Sequence, residues 1–287
     1  NYAFPEAGVM LKSVIYRKKQ KTEQGVGGRF ETKSFEYERP AVSAISDFAP
    51  ANVFYAGGRR VEIDQVDLKV SKPELWRFCD KCPYMVQEGS VEQSETCPVC
   101  GSTMWSDLGQ RRTLVRLRQV YANTYDPKSR IADESDEREP KFYNKKMLVG
   151  IHRRYVKKAY RVADESFPFG FEFVSHALFR EINFGMQTSA EQMIEIGGNK
   201  VPKKGFELCR YCGKIADRKG NIDHAFTCRL RGADDADKRN ECVYLYREFE
   251  SEAIQVLVRD AGLDASERIR QSFLAALHLG LKKTFHG

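Results

Sequence analysis

The apolar residues of this chain fall mostly into short runs rich in aromatic and β-branched side chains, with one stretch near the end at helical spacing. Met10 to Tyr16 is a short apolar segment, followed by Arg17-Lys18-Lys19-Gln20-Lys21 and the glycine-rich Gly25-Val26-Gly27-Gly28, which reads as a connector. Asn52-Val53-Phe54-Tyr55-Ala56 and Arg59-Arg60-Val61-Glu62-Ile63 flank Gly57-Gly58. Paired glycines supply the positive φ of a type I′ turn, so a β-hairpin is expected there. Arg111 to Tyr121, rich in Leu, Val and Tyr, is expected as one strand with its arginines along an exposed edge or face. From Pro127 to Lys146 charge is dense and apolar residues are few, which predicts a solvated loop. A second β-rich block spans about Met147 to Phe184, and Glu248 to Val258 reads as extended. Ser266 to Phe285 places Ile269, Phe273, Leu277 and Leu281 at helical spacing behind Ser266 as a cap. That segment is expected to be an amphipathic helix whose apolar face needs a partner.

The pattern predicts an α+β protein: a β-rich core with a zinc ribbon, a second Cys3His zinc site and a C-terminal amphipathic helix. The segments expected are an arm or connector over 1–38, a β-hairpin segment over 39–74, a zinc ribbon over 75–107, a β-rich domain over 108–200, and the second zinc site with a strand and helix over 201–287. No repeat of ordinary period is visible.

A length of 287 residues can bury a core of its own, so metal would organise this fold rather than substitute for a core. The 41% hydrophobic content is that of a globular protein. The 47 basic against 40 acidic residues leave a formal charge of +7, which permits polyanion binding without establishing it. There is no run of 18 apolar residues and no basic-then-apolar leader, so we expect a cytoplasmic protein without a membrane partner. The start at Asn1-Tyr2-Ala3, without an initiator Met, suggests a fragment.

Seven of the eight cysteines fall into three CxxC pairs and one HxxxC pair, a spacing that suits metal better than disulfides. Cys79, Cys82, Cys97 and Cys100 form the first set, two CxxC turns separated by fourteen residues. Each turn presents two thiolates to one side of an ion, and two turns close a tetrahedron. Gly101 fits the turn because the position after the second thiolate favours positive φ. Cys209, Cys212, His224 and Cys228 form the second set, with His224 and Cys228 one helical turn apart and Cys242 the alternative to His224. Otherwise Cys242 is expected as a small buried apolar residue. Four protein ligands leave no position for water, so two structural zinc ions are expected, not catalytic ones. With 108 residues between the sets, they read as independent sites.

Enzyme motifs were not found. The chain has no GxxxxGK(S/T) phosphate loop, and Asp133-Glu134-Ser135-Asp136 sits in a charged run rather than at the end of an apolar strand. None of His152, His176, His224, His278 or His286 begins a deaminase HxE, and no GxSxG elbow occurs. A non-catalytic role is the expectation. Basic residues offer a second lead. Arg153, Arg154, Tyr155, Lys157, Lys158, Tyr160 and Arg161 interleave cations with tyrosines, so phosphate neutralisation and base stacking could sit side by side. Arg116 and Arg118 are further candidates, and Arg210 and Lys214 flank the second cysteine set; a solubilising charged strand face is the plain alternative.

The order of SDFAPANVFYAGGRRVEI, the CDKC and CPVC pairs, DESDERE, GFELCRYCG with HAFTC, LYREFESEAI and SFLAALHLGLKKTFHG resembles the zinc-bearing C-terminal region of superfamily-2 DEAD/DEAH-box helicases of the MrfA kind. It resembles equally the related helicase-free subunit of the DISARM phage-defence system. The resemblance runs from about Arg39 onward and implies an accessory role in DNA repair or antiviral defence, with DNA, single- or double-stranded, and a helicase motor domain or subunit as partners. It carries a zinc-binding role onto Cys209, Cys212, His224 and Cys228, although helicases of that kind are associated with four cysteines where this chain has His224.

Overall fold

The computed structural model describes residues 8–18, 30–90, 94–131, 141–164, 169–186, 189, 192–217, 219–233, 240–258 and 261–285. The glycine-rich connector at 25–28, the basic positions 19–21 and the acidic run at 133–139 lie outside them.

Strands β1 (Gly8–Lys18) and β2 (Phe30–Pro40) occupy much of the stretch read as an arm. Val9, Leu11, Ser13 and Ile15 are buried at a period of two, the mark of a strand with one covered face. β2 pairs with β1 throughout and carries Glu31, Lys33, Glu36, Glu38 and Arg39, charges that discourage an edge strand from pairing with other chains. Helix α1 (Ala41–Asp47) follows and buries Ala44 and Ile45. The expected hairpin is β3 (Val53–Ala56) with β4 (Arg59–Glu62), turned by Gly57 at φ 56° and Gly58 at φ 69°.

After β5 (Gln65–Val66), β6 (Pro73–Phe78) and β7 (Met85–Gln87) come β8 (Arg111–Arg116) and β9 (Gln119–Tyr125). The single strand expected over Arg111 to Tyr121 is therefore two. Ser71 Oγ accepts the N–H of Arg118 at 3.0 Å and of Gln119 at 3.3 Å, withdrawing both amides from any ladder beside the buried Leu117. The chain changes sheet at this point. Nor do the arginines line an exposed face: all four are half-buried, and Arg111 and Arg116 pair with Glu88 and Glu248.

The expected loop from Pro127 to Lys146 is structured at both ends. Helix α2 (Asp126–Ser129) is pinned because the Asp126 carboxylate accepts from both Arg59 and Arg130, and β10 (Tyr143–Ile151) has begun before Lys146. Then follow β11 (Val156–Arg161), β12 (Phe169–Met186), β13 (Met193–Ile196), β14 (Asn199–Pro202), β15 (Phe206–Cys209), β16 (Asn240–Val258), α3 (Ala261–Ala265) and α4 (Glu267–Phe285).

One sheet runs β2-β1-β9-β5 and another β10-β12-β16-β8-β6-β7, with β11 added to β12 and β15 to β16; β3–β4 and β13–β14 are separate hairpins. β16 lies parallel to β8 over Val243 to Tyr246, and that stretch is covered on both faces. Its Val243 and Leu245 enter one core with Val9, Leu11, Phe48 and Leu208, while Tyr244 and Tyr246 enter a second with Trp76, Phe78 and Phe184. Two-sided burial is why this segment reads as an unbroken apolar run rather than as alternation. Asn183, fully buried, ties α1 to β12: its Nδ2 donates to the Ile45 carbonyl at 2.7 Å and its Oδ1 accepts the Gly185 N–H at 3.0 Å.

The chain divides into two compact units, Asn1–Gly150 with Phe179–Phe249, and Ile151–Leu178 with Glu250–Gly287. The first holds both cysteine sets. The second holds β11, parts of β12 and β16, α3 and α4. Ser266 Oγ accepts the Ile269 N–H at 3.4 Å, the cap expected from sequence. Along α4, Phe273 and Leu277 are half-buried whereas Ile269, Leu274, Leu279 and Leu281 are exposed. Among the described residues no helix is long and apolar enough to cross a membrane.

Candidate metal centres

Strand β6 ends at Phe78 in the second core, and this fixed end delivers Cys79. The chain turns through Cys82, with the Cys79 N–H donating to the Tyr84 carbonyl at 3.0 Å, and re-enters the sheet as β7. The opposing turn is closed by the Gly101 N–H donating to the Cys97 carbonyl at 2.8 Å, Gly101 standing at φ 74° as its place in the turn suggested. All four sulfurs lie within 4.8 Å of one another, with Cys79 to Cys100 at 3.4 Å and Cys82 to Cys97 at 3.6 Å. A tetrahedron with zinc–sulfur bonds of about 2.3 Å has edges of about 3.8 Å, so the set is sized for zinc. Trp105, 5.2 Å from the Tyr84 ring, packs with Cys79 and Cys97, and Val86 packs against the same cluster. Arg77 donates to the Trp105 carbonyl and to Glu88, and Ser102 Oγ donates to Asp80.

This cluster is too small to hold itself together by burial alone. A neighbouring hairpin closes it: the Gly197 N–H donates to the Cys79 carbonyl at 2.8 Å and the Gly198 N–H to the Asp80 carbonyl at 2.6 Å. Both glycines sit at the positive φ of the β13–β14 turn. Burial pushes the Cys79 thiol well up and the Cys82 thiol up to about 11, against the pull of backbone N–H groups aimed at the sulfurs. Such buried sulfurs become thiolates readily only when a cation shares the site.

The second set grows from β15, whose Phe206 and Leu208 lie in the first core and whose last residue is Cys209. The turn mirrors the first: the Gly213 N–H donates to the Cys209 carbonyl at 2.8 Å, and the Tyr211 N–H points at Cys209 Sγ at 3.4 Å. His224 presents Nδ1, 3.7 Å from Cys212 Sγ and 3.5 Å from Cys228 Sγ, while Cys209 and Cys228 are 3.8 Å apart. Mixed nitrogen–sulfur edges of a zinc tetrahedron are about 3.6 Å, so His224 fits as a ligand. Cys242 is exposed on β16 and belongs to neither set, which removes it as the alternative ligand and also overturns its expected burial. It lies on the same side of β16 as Tyr244 and Tyr246 but before the buried stretch of the strand begins, outside the second core. Burial pushes the Cys209 thiol up to about 11.

Each set can therefore hold a zinc ion, and with four protein ligands neither leaves an open position. The second knuckle is stitched to the first core by Gln65 Nε2 donating to the Cys212 carbonyl at 2.6 Å, by the Val66 N–H donating to the Gly213 carbonyl at 2.9 Å, and by an ion pair between Lys214 and Asp64.

The basic candidates are dispersed. Arg116 and Arg118 belong to the first unit, where Arg116 is held by Glu248. In the second unit Arg153 is exposed, whereas Arg154 stacks on Tyr155 at 4.6 Å and donates to its hydroxyl at 2.7 Å. Tyr155 also meets the His176 ring at 4.7 Å, so it is spoken for. Strand alternation sets Lys158 and Tyr160 on one face of β11 and Arg161 on the other, past an irregularity in the pairing at Lys157. The partner strand completes the first face: Tyr160 lies opposite Phe171 and Lys158 opposite Phe173, with the Tyr160 and Phe171 rings stacked at 5.0 Å and both exposed. Phe171 was not singled out from sequence. Its signal was the alternation in FGFEF, read only as strand propensity. No protein family, curated protein or solved structure matches the chain.

Proposed function

We propose that this chain is a non-catalytic, zinc-stabilised accessory module of a DNA helicase or phage-defence complex that contributes to holding DNA. The observation that carries the DNA-holding part is the face formed by β11 and β12. Stacked aromatic rings left exposed on a pleated surface, with Lys158 on the same face, suit the flat π-faces of unpaired bases and the phosphates that join them. The closed ligand sets support scaffolding rather than chemistry at the metal. The helicase and defence context is carried by the resemblance in motif order.

Fluorescence anisotropy with labelled single-stranded and duplex DNA over a salt series tests this reading. Binding is expected at low ionic strength, falling steeply with salt, and Tyr160→Ala is expected to weaken single-strand binding by roughly tenfold. If neither form of DNA binds even at low ionic strength, the reading is lost.

A protein-interaction scaffold for a separate motor subunit is the second reading, favoured by Ile269, Leu274, Leu279 and Leu281 standing exposed on α4. Pull-down with the motor subunit is expected to fail for a Leu274→Glu, Leu281→Glu variant. Absence of any complex with the unaltered chain ends this reading.

A further inference from the structure

We infer that the second knuckle is itself a contact for single-stranded nucleic acid, made by Phe226 and by three arginines seated on aromatic rings. The inference rests on the DNA-holding reading for the class of ligand only. It uses a different surface, in the first unit, and it can fail alone.

Phe226 lies between the ligands His224 and Cys228 and is 86% exposed. An aromatic ring so open gains nothing from the core, yet the backbone on both sides is fixed by ligand positions, so the ring is presented rather than merely left over. Arg231 stacks on it at 4.9 Å. On the same knuckle the Tyr211 ring is met by Arg229, 3.3 Å from its centroid, and by Arg210, at 4.8 Å. All three arginines are exposed, and among the described residues none forms an ion pair with a carboxylate. Stacking spreads a guanidinium flat on a ring and leaves its N–H edge free for phosphate oxygens.

Beside these residues opens a cleft of about 800 Å³ lined in part by Lys69, Tyr121, Asn123, Arg210, Tyr211 and Arg229. Its one lining carboxylate, Asp67, already accepts from Tyr121 Oη at 2.7 Å and Gln119 Nε2 at 2.9 Å. The cleft thus sets a lysine, two arginines and two tyrosines against a single carboxylate. An acidic peptide would satisfy the arginines but offer Phe226 nothing. A duplex keeps its bases stacked inside. An unpaired strand supplies both phosphate and an accessible π-face.

The test uses the zinc-loaded chain with fluorescent oligothymidine over a salt series, and bromouracil photo-crosslinking mapped by mass spectrometry. Phe226→Ala is expected to weaken binding roughly tenfold with zinc content unchanged. Replacing Arg210, Arg229 and Arg231 by Ala is expected to reduce the slope of log affinity against log salt by about 2, at about 0.7 for each phosphate left without its arginine. Cross-links are expected on the peptide carrying Tyr211 or Phe226. Unchanged affinity and slope in both variants, with cross-links confined to Tyr160 or Phe171, overturns the knuckle contact and leaves the β11–β12 face standing. No binding by the unaltered chain overturns both. Displacement of the oligonucleotide by an acidic peptide, to the same extent in the unaltered chain and in Phe226→Ala, also overturns it.

Discussion

Replacing Cys209 with Ser is expected to lower the zinc content from two ions per chain to one and to cost the fold at least about 4 kcal/mol, against a total stability for a domain of about 5–15 kcal/mol. Cys209 is 1% exposed and ends a strand whose preceding residues lie in the first core, so the serine hydroxyl that replaces its sulfur cannot turn toward water when the ion is lost. The knuckle beyond it is also the place where β5 is anchored through Gln65 and Val66. Losing the ion therefore loosens a seam of the sheet as well as a loop. Cys100→Ser is expected to be milder. Cys100 is exposed, and its turn belongs to a satellite cluster around Trp105 rather than to the main core. Elemental analysis for zinc together with urea unfolding followed by circular dichroism checks both. Equal unfolding midpoints for the two variants, or two zinc ions retained by Cys209→Ser, would contradict this account.

Gly213→Ala is expected to cost about 3 kcal/mol or more, whereas Gly58→Ala costs about 1 kcal/mol. The two glycines have the same φ of 69°, so backbone strain alone would penalise them equally. Their surroundings differ. A Cβ at Gly58 meets nothing within 4 Å, while at Gly213 it would stand 1.9 Å from the Val66 carbonyl oxygen. Because that clash is with backbone in a paired strand, it can be relieved only by separating the knuckle from β5. Urea midpoints compare the two, with zinc content as the second readout. Indistinguishable midpoints would show that the close approach is not maintained in solution.

How much of this could be read from the chain depended on whether a feature was local. The Gly57-Gly58 hairpin, the cap at Ser266 and the paired cysteines are each set by residues a few positions apart, and each was legible. The division between β8 and β9 was not, because the residue that breaks the ladder is Ser71, 47 positions upstream of Arg118. β1 was obscured by Ser13, a polar residue in a buried strand position, and β2 by a composition suited to an edge. For the candidate sites the ligands were plain from spacing, whereas the aromatic partners of the cations were not. Phe171 faces Tyr160 only through the register of β11 on β12, and Arg229 finds Tyr211 only once the knuckle has closed. The ion pair of Arg116 was hidden for the same reason, since Glu248 comes 132 positions later.

The β13–β14 turn that caps the first cysteine set has a bearing on how the protein is made. Gly197 trails Cys79 by 118 positions, so a ribosome adding about 5–20 residues each second takes roughly 6–24 s to supply the cap after the first ligand is made. For that interval the nascent cysteines are thiols without their cover, open to oxidation or to the wrong metal. Synthesis rate and zinc supply during translation, rather than the finished fold alone, would then set how much of the protein matures correctly.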